Sequence, residues 1–159
     1  MFSKRTKFKL LSFFPPFLGA GIRITHVSAD LHTIEVRMKL HWWNRNVVST
    51  HFGGSLYAMC DPFYMLILME KMGSQYIIWD KAASIRFKRP GRSTVTARFH
   101  ISPQQVDDMR TEVDQIGRKD YTFTTQVLGN EGEVIAEVIK LVYVRRKDFV
   151  YSTRKIVKR

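Results

Sequence analysis

A chain of 159 residues with 45% hydrophobic and 13% aromatic residues is long and apolar enough to bury a core, which excludes an intrinsically disordered protein. Its single cysteine, Cys60, excludes an internal disulfide and fits a reducing compartment, so we expect a cytoplasmic protein. The net charge of +12 is concentrated at the two ends, because residues 1–20 carry four basic residues and no acid, and residues 145–159 carry seven basic residues against Asp148.

The body between these ends is close to neutral, with 15 basic and 13 acidic residues in positions 21–144. Nucleic-acid binding favours a basic face on the folded body, and no recognition motif of that kind is visible, so we expect no nucleic-acid partner. The basic ends favour solubility, with weak contact to an anionic membrane surface as the alternative. No apolar run reaches the length of a membrane span, and the start of the chain is not typical of a secretory signal.

The first predicted element is a short helix in the basic, Phe-rich segment 1–20. Residues 2–18 mix basic side chains with large apolar ones, and Pro15-Pro16 would end the helix. This segment either packs on the body or lies on a membrane surface, and packing is the more common outcome.

The next elements alternate between apolar and polar residues. Residues 34–40 alternate strictly and predict a half-buried strand, with residues 21–29 as its hairpin partner. A loop over 42–52 follows, and an apolar helix is predicted from about Gly54 to Met72.

Four strand-like runs and a capped helix make up the second half of the chain. The strands are predicted at 76–89, 94–101, 118–128 and 132–146, and the helix at 103–116, with Pro103 at its first position. This order predicts an α+β fold, in which a curved antiparallel sheet wraps around one long central helix. Its exposed edges favour pairing with a second copy, so a homodimer or a dimer of dimers is expected.

The most informative stretch joins a glycine pair to a carboxylate. Gly53-Gly54 stands at the mouth of the apolar helix, where backbone N–H groups can approach a ligand closely. Asp61 lies inside the same helix, and an ionised Asp is almost never left in apolar surroundings without a partner or a task. An oxyanion site and a base or nucleophile on one element are typical of acyl chemistry.

This layout resembles the hotdog-fold thioesterases, and is similar in particular to the phenylacetate-degradation and 4-hydroxybenzoyl-CoA enzymes. In that group an Asn and a His-Gly-Gly turn precede an acid seven positions after the second glycine. Asn46, Gly53-Gly54 and Asp61 stand in those places here. The pairing of His-Phe-Gly-Gly with Asp-Pro-Phe-Tyr is similar to an uncharacterised branch of the superfamily, a domain of unknown function. The resemblance covers roughly residues 16–145 and implies a hotdog domain over 21–146, followed by a basic tail over 147–159.

The resemblance implies a catalytic role for Asp61, either as general base for a water or as nucleophile on the thioester carbonyl. The alternative is that Asp61 caps a second helical segment that begins at Pro62, and the two roles are compatible. Gly54, with Gly53 beside it, is the first choice for the oxyanion donor.

Two further residues of the motif have open roles. His51 and Asn46 would orient the substrate or the attacking water, although a structural hydrogen bond is the more common role for such a His. Phe52 separates His51 from the glycines, which is the one local departure from the family pattern.

The expected substrate contacts fall into three groups. The acyl group would lie in a tunnel lined by Tyr57, Met59, Phe63 and Tyr64. In related enzymes the partner subunit contributes a hydroxyl, and Ser84 is the candidate, against an ordinary sheet hydroxyl. The phosphates of coenzyme A would meet the basic turn that contains Arg86, Lys88 and Arg89, against a merely solvated charged turn.

These residues together predict an acyl-CoA thioesterase that needs no cofactor beyond the coenzyme A of its substrate. The five histidines show no metal-ligand spacing, so no metal is expected. Cys60 has no activating basic neighbour in the sequence and is expected to be a buried structural thiol. The alternative function is a non-catalytic protein of the same fold that binds an acyl chain or acyl-CoA.

Overall fold

Residues 3–149 are the part of the chain that the structure, a computed structural model, describes. The helices are α1 (Lys4–Leu10), α2 (Pro15–Ala20), α3 (Gly53–Ala58), α4 (Phe63–Met72) and α5 (Pro103–Ile116), with a 3₁₀ turn at Leu11–Phe13. The strands are β1 (Ile22–Val27), β2 (Thr33–Met38), β3 (Tyr76–Phe87), β4 (Val95–His100), β5 (Arg118–Leu128) and β6 (Val134–Arg146).

The six strands form one antiparallel sheet in the order β1-β2-β4-β5-β6-β3. The apolar side chains of α3 and α4, among them Leu56, Phe63 and Ile67, share one buried core with strand residues such as Val36 and Val138. Burial of these side chains holds the helical pair against the sheet. The predicted α+β architecture, with a sheet around a central helical element, is therefore confirmed.

The central helix, predicted from about Gly54 to Met72 with a second segment at Pro62 as the alternative, is broken before Pro62, but the Asp61 side chain does not cap the second segment. α3 ends at Ala58 and α4 begins at Phe63, with Pro62 at its N-cap position. Proline has no N–H to bond the carbonyl four residues earlier, so the helix cannot continue through it. Asp61 consequently lies in the break between α3 and α4.

A β-bulge in β3 exchanges the faces of its side chains. The register of β3 against β6 shifts between Asp80 and Ala82. Before the bulge Asp80 lies opposite the core residue Val142, on the face towards the helices. The sequence predicts a single apolar face along this strand from the apolar residues at its odd positions, Ile77, Trp79, Ala83, Ile85 and Phe87. That prediction is wrong for Ile77 and Trp79, which lie on the other face, because one extra residue exchanges the two faces.

The N-terminal segment is packed on the body, as the sequence favoured. The amide of Ile24 donates to Ser12 Oγ at 2.9 Å, and the Arg23 guanidinium donates to the Ser12 carbonyl at 2.8 Å. Pro15 begins α2 at its first position, so the proline pair starts a second helix after the first has ended. Phe17 is buried in the core.

The second half of the chain follows the sequence closely. Ser102 and Gln105 form a capping box at the start of α5, which explains why this helix begins where it was predicted. β5 and β6 form the predicted hairpin around the turn 129–133. Among residues 3–149 no helix combines the length and the hydropathy needed to cross a bilayer. Most of the predicted basic tail, residues 150–159, lies outside the described residues.

Candidate active site

The break between α3 and α4 presents the Asp61 carboxylate to a buried cation. Asp61 Oδ1 accepts a hydrogen bond from the Tyr57 hydroxyl at 2.7 Å and one from Lys140 Nζ at 2.8 Å. The Asp61 side chain remains 48% exposed, whereas that of Lys140 is fully buried. Asp61 is thus held at one oxygen and accessible to a ligand.

Lys140 pairs with a second carboxylate across the sheet. Its Nζ lies 3.0 Å from Asp80 Oδ2, on the neighbouring strand β3. Burial by itself lowers the pKa of Lys140, but hydrogen bonds to Asp61 and Asp80 outweigh it, so that the pKa is raised above its ordinary value. Burial raises the pKa of the Asp80 carboxyl. The cluster Tyr57, Asp61, Asp80 and Lys140 is therefore an ion network built around a permanently charged lysine.

An apolar cavity of about 440 Å³ opens beside Asp61. It lies between the N-terminal segment and the α3–α4 pair. It is lined by Leu11, Phe14, Pro16, Phe17, Tyr57, Ala58, Asp61, Pro62 and Leu66. Asp61 is its one carboxylate, so a ligand in this apolar cavity would meet a single charged group.

Three of the four residues of the predicted acyl tunnel line neither cavity. Met59, Phe63 and Tyr64 are buried in the core between helix and sheet. The Phe63 ring packs on Phe99 at 4.8 Å, and the Tyr64 hydroxyl donates to a backbone carbonyl of β5. These side chains face the sheet because the helix buries its apolar stripe there. Tyr57, on the opposite side of the helix, is the tunnel residue that does line the apolar cavity.

A second cavity, of about 410 Å³, lies at the start of α3 and contains the glycine motif. We call it the basic cavity, since Lys88 and Arg89 are at its rim. It is lined by Asn46, Thr50, His51, Gly53, Leu56, Phe87, Lys88, Arg89, Pro90 and Gly91. The structure therefore brings Asn46, His51 and Gly53 together at this cavity, whereas Asp61 lies at the apolar cavity and Gly54 lines neither.

Aromatic rings lie close against the backbone of both glycines. A Cβ on Gly53 would lie 2.9 Å from Cζ of Phe87, and a Cβ on Gly54 would lie 2.4 Å from the Phe52 ring. No side chain caps the start of α3, so the first amides of the helix have no capping partner there. This geometry is compatible with the predicted backbone donor at Gly54, which stays a prediction.

His51 and Asn46 make the structural contacts that the sequence left open. His51 Nε2 donates to the Ser93 carbonyl at 2.8 Å, which leaves its buried Nδ1 as an acceptor without a partner among residues 3–149. Burial lowers the pKa of His51, and the hydrogen bond to the Ser93 carbonyl raises it by less. The pKa therefore lies below its ordinary value, and the ring is neutral. Asn46 Oδ1 accepts from two amides of its own loop, those of Val48 and Thr50. Both residues thus shape the loop that forms one wall of the basic cavity.

The remaining predicted contacts are dispersed along β3 and the following turn. Lys88 pairs with Glu137 at 2.9 Å, whereas Arg89 forms no ion pair within residues 3–149. Arg86 is exposed on β3 and lines neither cavity. Ser84 lies in the exposed middle of β3, beside a depression of about 220 Å³ and outside both cavities. Arg89 is consequently the best placed of the basic residues for an anionic group.

Sequence reasoning missed Lys140 and Asp80. Lys140 was detectable, because it is a charged residue in the middle of the alternate, otherwise apolar positions of β6 that run from Ala136 to Val144. Asp80 could not be detected from the sequence, because the bulge in β3 decides that its side chain lies on the face towards the helices. Cys60, next to Asp61, is fully buried, and burial raises the pKa of its thiol to about 12, as expected of a structural cysteine.

Comparisons with known proteins agree with this architecture. Residues 3–144 match the model of a family described as a domain of unknown function, DUF4442. A protein of unknown function and probable thioesterase from Pseudomonas aeruginosa superposes with a TM-score of 0.75 at 19% identity, covering 89% of this chain and 95% of its own. A thioesterase from Haemophilus influenzae superposes with a TM-score of 0.68 at 16% identity, covering 92% of this chain and 93% of its own.

A variant of the phenylacetic acid degradation protein PaaI from Thermus thermophilus gives a TM-score of 0.56 at 17% identity, with 81% of this chain and 97% of its own covered. No curated protein matches the chain significantly. At these identities the likeness establishes the fold, and the hotdog fold implied by the sequence is confirmed.

Proposed function

This chain belongs to the DUF4442 family and has the fold of solved thioesterases, and from that premise we propose that it hydrolyses acyl thioesters, with coenzyme A as the thiol that is released. The observation that carries the proposal is the Asp61 carboxylate, half exposed in a helix break at the wall of an apolar cavity. An apolar cavity with one charged group fits a substrate that has an apolar acyl group and a reactive carbonyl.

Asp61 acts as the base or the nucleophile in this proposal. Lys140 and Tyr57 both bind Oδ1, so we assign Oδ2 to the reacting water or to the carbonyl carbon. As a base, Oδ2 takes a proton from water while the water oxygen bonds to the thioester carbon. Collapse of the tetrahedral intermediate then expels the thiolate, which takes up that proton, and releases the carboxylic acid.

The glycine motif supplies the second part of the mechanism. The Gly54 amide, with Gly53 beside it, is the proposed donor to the carbonyl oxygen, which becomes negative in the intermediate. Because Gly53 and Asp61 line separate cavities, this mechanism requires a thioester that lies along α3 between the two. The basic cavity lies at the same helix start, and Arg89 at its rim is the proposed partner of the coenzyme A phosphates. His51 and Asn46 support this wall by holding the loop before α3.

The test is thiol release from a panel of acyl-CoAs, with wild type beside Asp61→Asn. We expect wild-type turnover and a loss of roughly 10² or more in kcat/KM in the variant, since a positioned acid or base typically contributes 10²–10⁴. Asp107→Asn is the matched control, because Asp107 is an exposed carboxylate on α5 that pairs only with Arg110 nearby on the helix. Equal activity of Asp61→Asn and wild type would refute the role of Asp61.

A non-catalytic acyl-binding protein is the second candidate, and one observation favours it. The Lys140 ammonium lies against Asp61 and offsets the charge that the carboxylate needs as a base. Such a protein would release no thiol from any acyl-CoA and would carry an acyl ligand when purified. Mass spectrometry of the native protein, run beside the thiol assay, separates the two functions.

A further inference from the structure

We propose that the apolar cavity between the N-terminal segment and the α3–α4 pair binds a medium-length alkyl chain, of about ten carbons, as the acyl group of the substrate. This inference rests on the proposed function for the reaction, but the cavity and its ligand class can be tested without turnover.

The position of the cavity connects it to the reacting group. Asp61 and Tyr57 lie in its wall, and the Tyr57 hydroxyl donates to Asp61 Oδ1. A thioester carbonyl placed at Asp61 would therefore have its apolar substituent in this cavity. The core residues Phe63 and Tyr64 are packed against the sheet and offer no such space.

The size of the cavity points to a chain of intermediate length. Its volume is about 440 Å³, and part of it is open to solvent. At about 30 Å³ for each small group, the whole volume holds at most about fifteen methylene groups, and the part closed to solvent holds fewer. An acetyl group would leave most of the cavity unfilled, whereas a sixteen-carbon chain would extend beyond it.

The shape of the cavity favours an alkyl chain over a single aromatic ring. Its inner wall runs from Tyr57 on α3 across the helix break to Leu66 on α4. A wall built from two successive helices suits an extended chain. Leu11 and Phe14 of the N-terminal segment line the cavity as well.

The cavity is preformed, because its outer wall is bonded to the body. Ser12 sits between Leu11 and Phe14, is buried, and accepts from the Ile24 amide of β1. The buried Phe17 ring packs on Phe63 at 6.0 Å and anchors the other end of this wall. A preformed apolar cavity binds its ligand without the cost of ordering the protein first.

The experiment measures kcat/KM for acetyl-, decanoyl-, palmitoyl- and benzoyl-CoA in wild type, Leu66→Trp, Phe14→Ala and Phe13→Ala. Wild type should prefer decanoyl-CoA. Leu66→Trp, which fills the cavity, should lower kcat/KM for decanoyl-CoA by roughly tenfold or more, and should lower kcat/KM for acetyl-CoA by a much smaller factor. Phe14→Ala, which lengthens the cavity, should shift the preference towards palmitoyl-CoA.

Phe13→Ala is the matched control. Phe13 is the neighbour of Phe14 in the same segment and is exposed like it, but its side chain does not line the cavity. Its chain-length profile should equal that of wild type. Melting curves identify any variant that fails to fold, and if Leu66→Trp does, the comparison of Phe14→Ala with Phe13→Ala decides.

A second measurement separates this inference from the proposed function. Calorimetry with decanoyl-CoA on Asp61→Asn and on Asp61→Asn/Leu66→Trp should show a Kd about tenfold weaker in the double variant. Weaker binding by the double variant supports the cavity even when wild type releases no thiol, in which case only the proposed hydrolysis fails. A preference for benzoyl-CoA, or a chain-length profile and Kd unchanged by Leu66→Trp and Phe14→Ala, would overturn the assignment.

Discussion

Lys140 shows how one side chain sets the properties of the candidate site. Its ammonium is fully buried and lies within 3.0 Å of two carboxylates, Asp61 and Asp80. A buried cation is stable in a folded protein only when it is paired with an anion. The two carboxylates are in turn stabilised by this one cation. Lys140 is thus both a structural support of the site and the charge that Asp61 faces, which is why its removal should affect folding before it affects chemistry.

Lys140→Met should lower the free energy of unfolding by about 3–5 kcal/mol, because it leaves two carboxylates in a partly buried site without their cation. Urea denaturation measures the loss. Lys81→Met is the matched control, since Lys81 pairs with Asp120 at the surface and should contribute at most about 1 kcal/mol. Adding Asp61→Asn and Asp80→Asn to Lys140→Met should restore much of the stability. Equal losses in the two Lys→Met variants would contradict this account.

At the scale of elements, two irregularities bring the site together. The break between α3 and α4 directs Asp61 out of the helix, and the bulge in β3 directs Asp80 towards the same point. A regular helix would direct the Asp61 carboxylate, and a regular strand the Asp80 carboxylate, away from this point. Local interruptions of regular structure are therefore what allows Lys140 on β6 to meet both acids.

Pro62→Ala tests the helix break. Alanine restores the amide that a continuous helix needs, so the turn over 59–62 can become helical and rotate Asp61 away from Lys140. We expect kcat/KM for the best acyl-CoA to fall by about tenfold or more, since small displacements of a reacting group are costly. The melting temperature of Pro62→Ala should differ little from that of wild type. Pro103→Ala, which alters the first position of α5 far from the site, should leave activity unchanged.

At the scale of the molecule, the two edges of the sheet differ. The β1 edge is covered by the N-terminal segment, through hydrogen bonds from the Arg5 side chain to the Val27 carbonyl and from the Ile24 amide to Ser12. The β3 edge is open, and its middle, residues 82–84, is exposed and uncharged. An open edge of this kind favours strand pairing, so we propose that β3 pairs with β3 of a second copy.

Proline substitutions in β3 test this dimer. Successive amides of a strand point to opposite edges, so one of Ala83→Pro and Ser84→Pro removes a donor that faces the open edge. We expect the affected variant to elute as a monomer in size-exclusion chromatography with light scattering, where wild type elutes as a dimer. Thr25→Pro in β1 is the control, because that exposed residue lies at a bulge on the covered edge. A monomeric wild type would refute the proposal.

Much of the fold could be predicted from local chemistry. The alternation in β2, β4 and β5, the Ser102–Gln105 capping box and the seven-residue spacing from Gly54 to Asp61 are properties of short stretches of chain. Backbone conformation and capping depend on near neighbours, so the sequence contains the information for these features. The resemblance in the glycine–carboxylate motif then led to the hotdog fold.

The partners of Asp61 and the place of the acyl cavity were decided only by the tertiary structure. Lys140 is 79 residues from Asp61 along the chain, and Asp80 reaches it through a bulge that no alternation pattern predicts. Only the tertiary structure shows that Phe63 packs in the core, because an apolar side chain suits a core and a ligand cavity equally well. The sequence by itself determined which elements form and which residues carry chemistry. Which of these residues come into contact depended on the tertiary structure, because contacts between distant segments form only when the whole core packs.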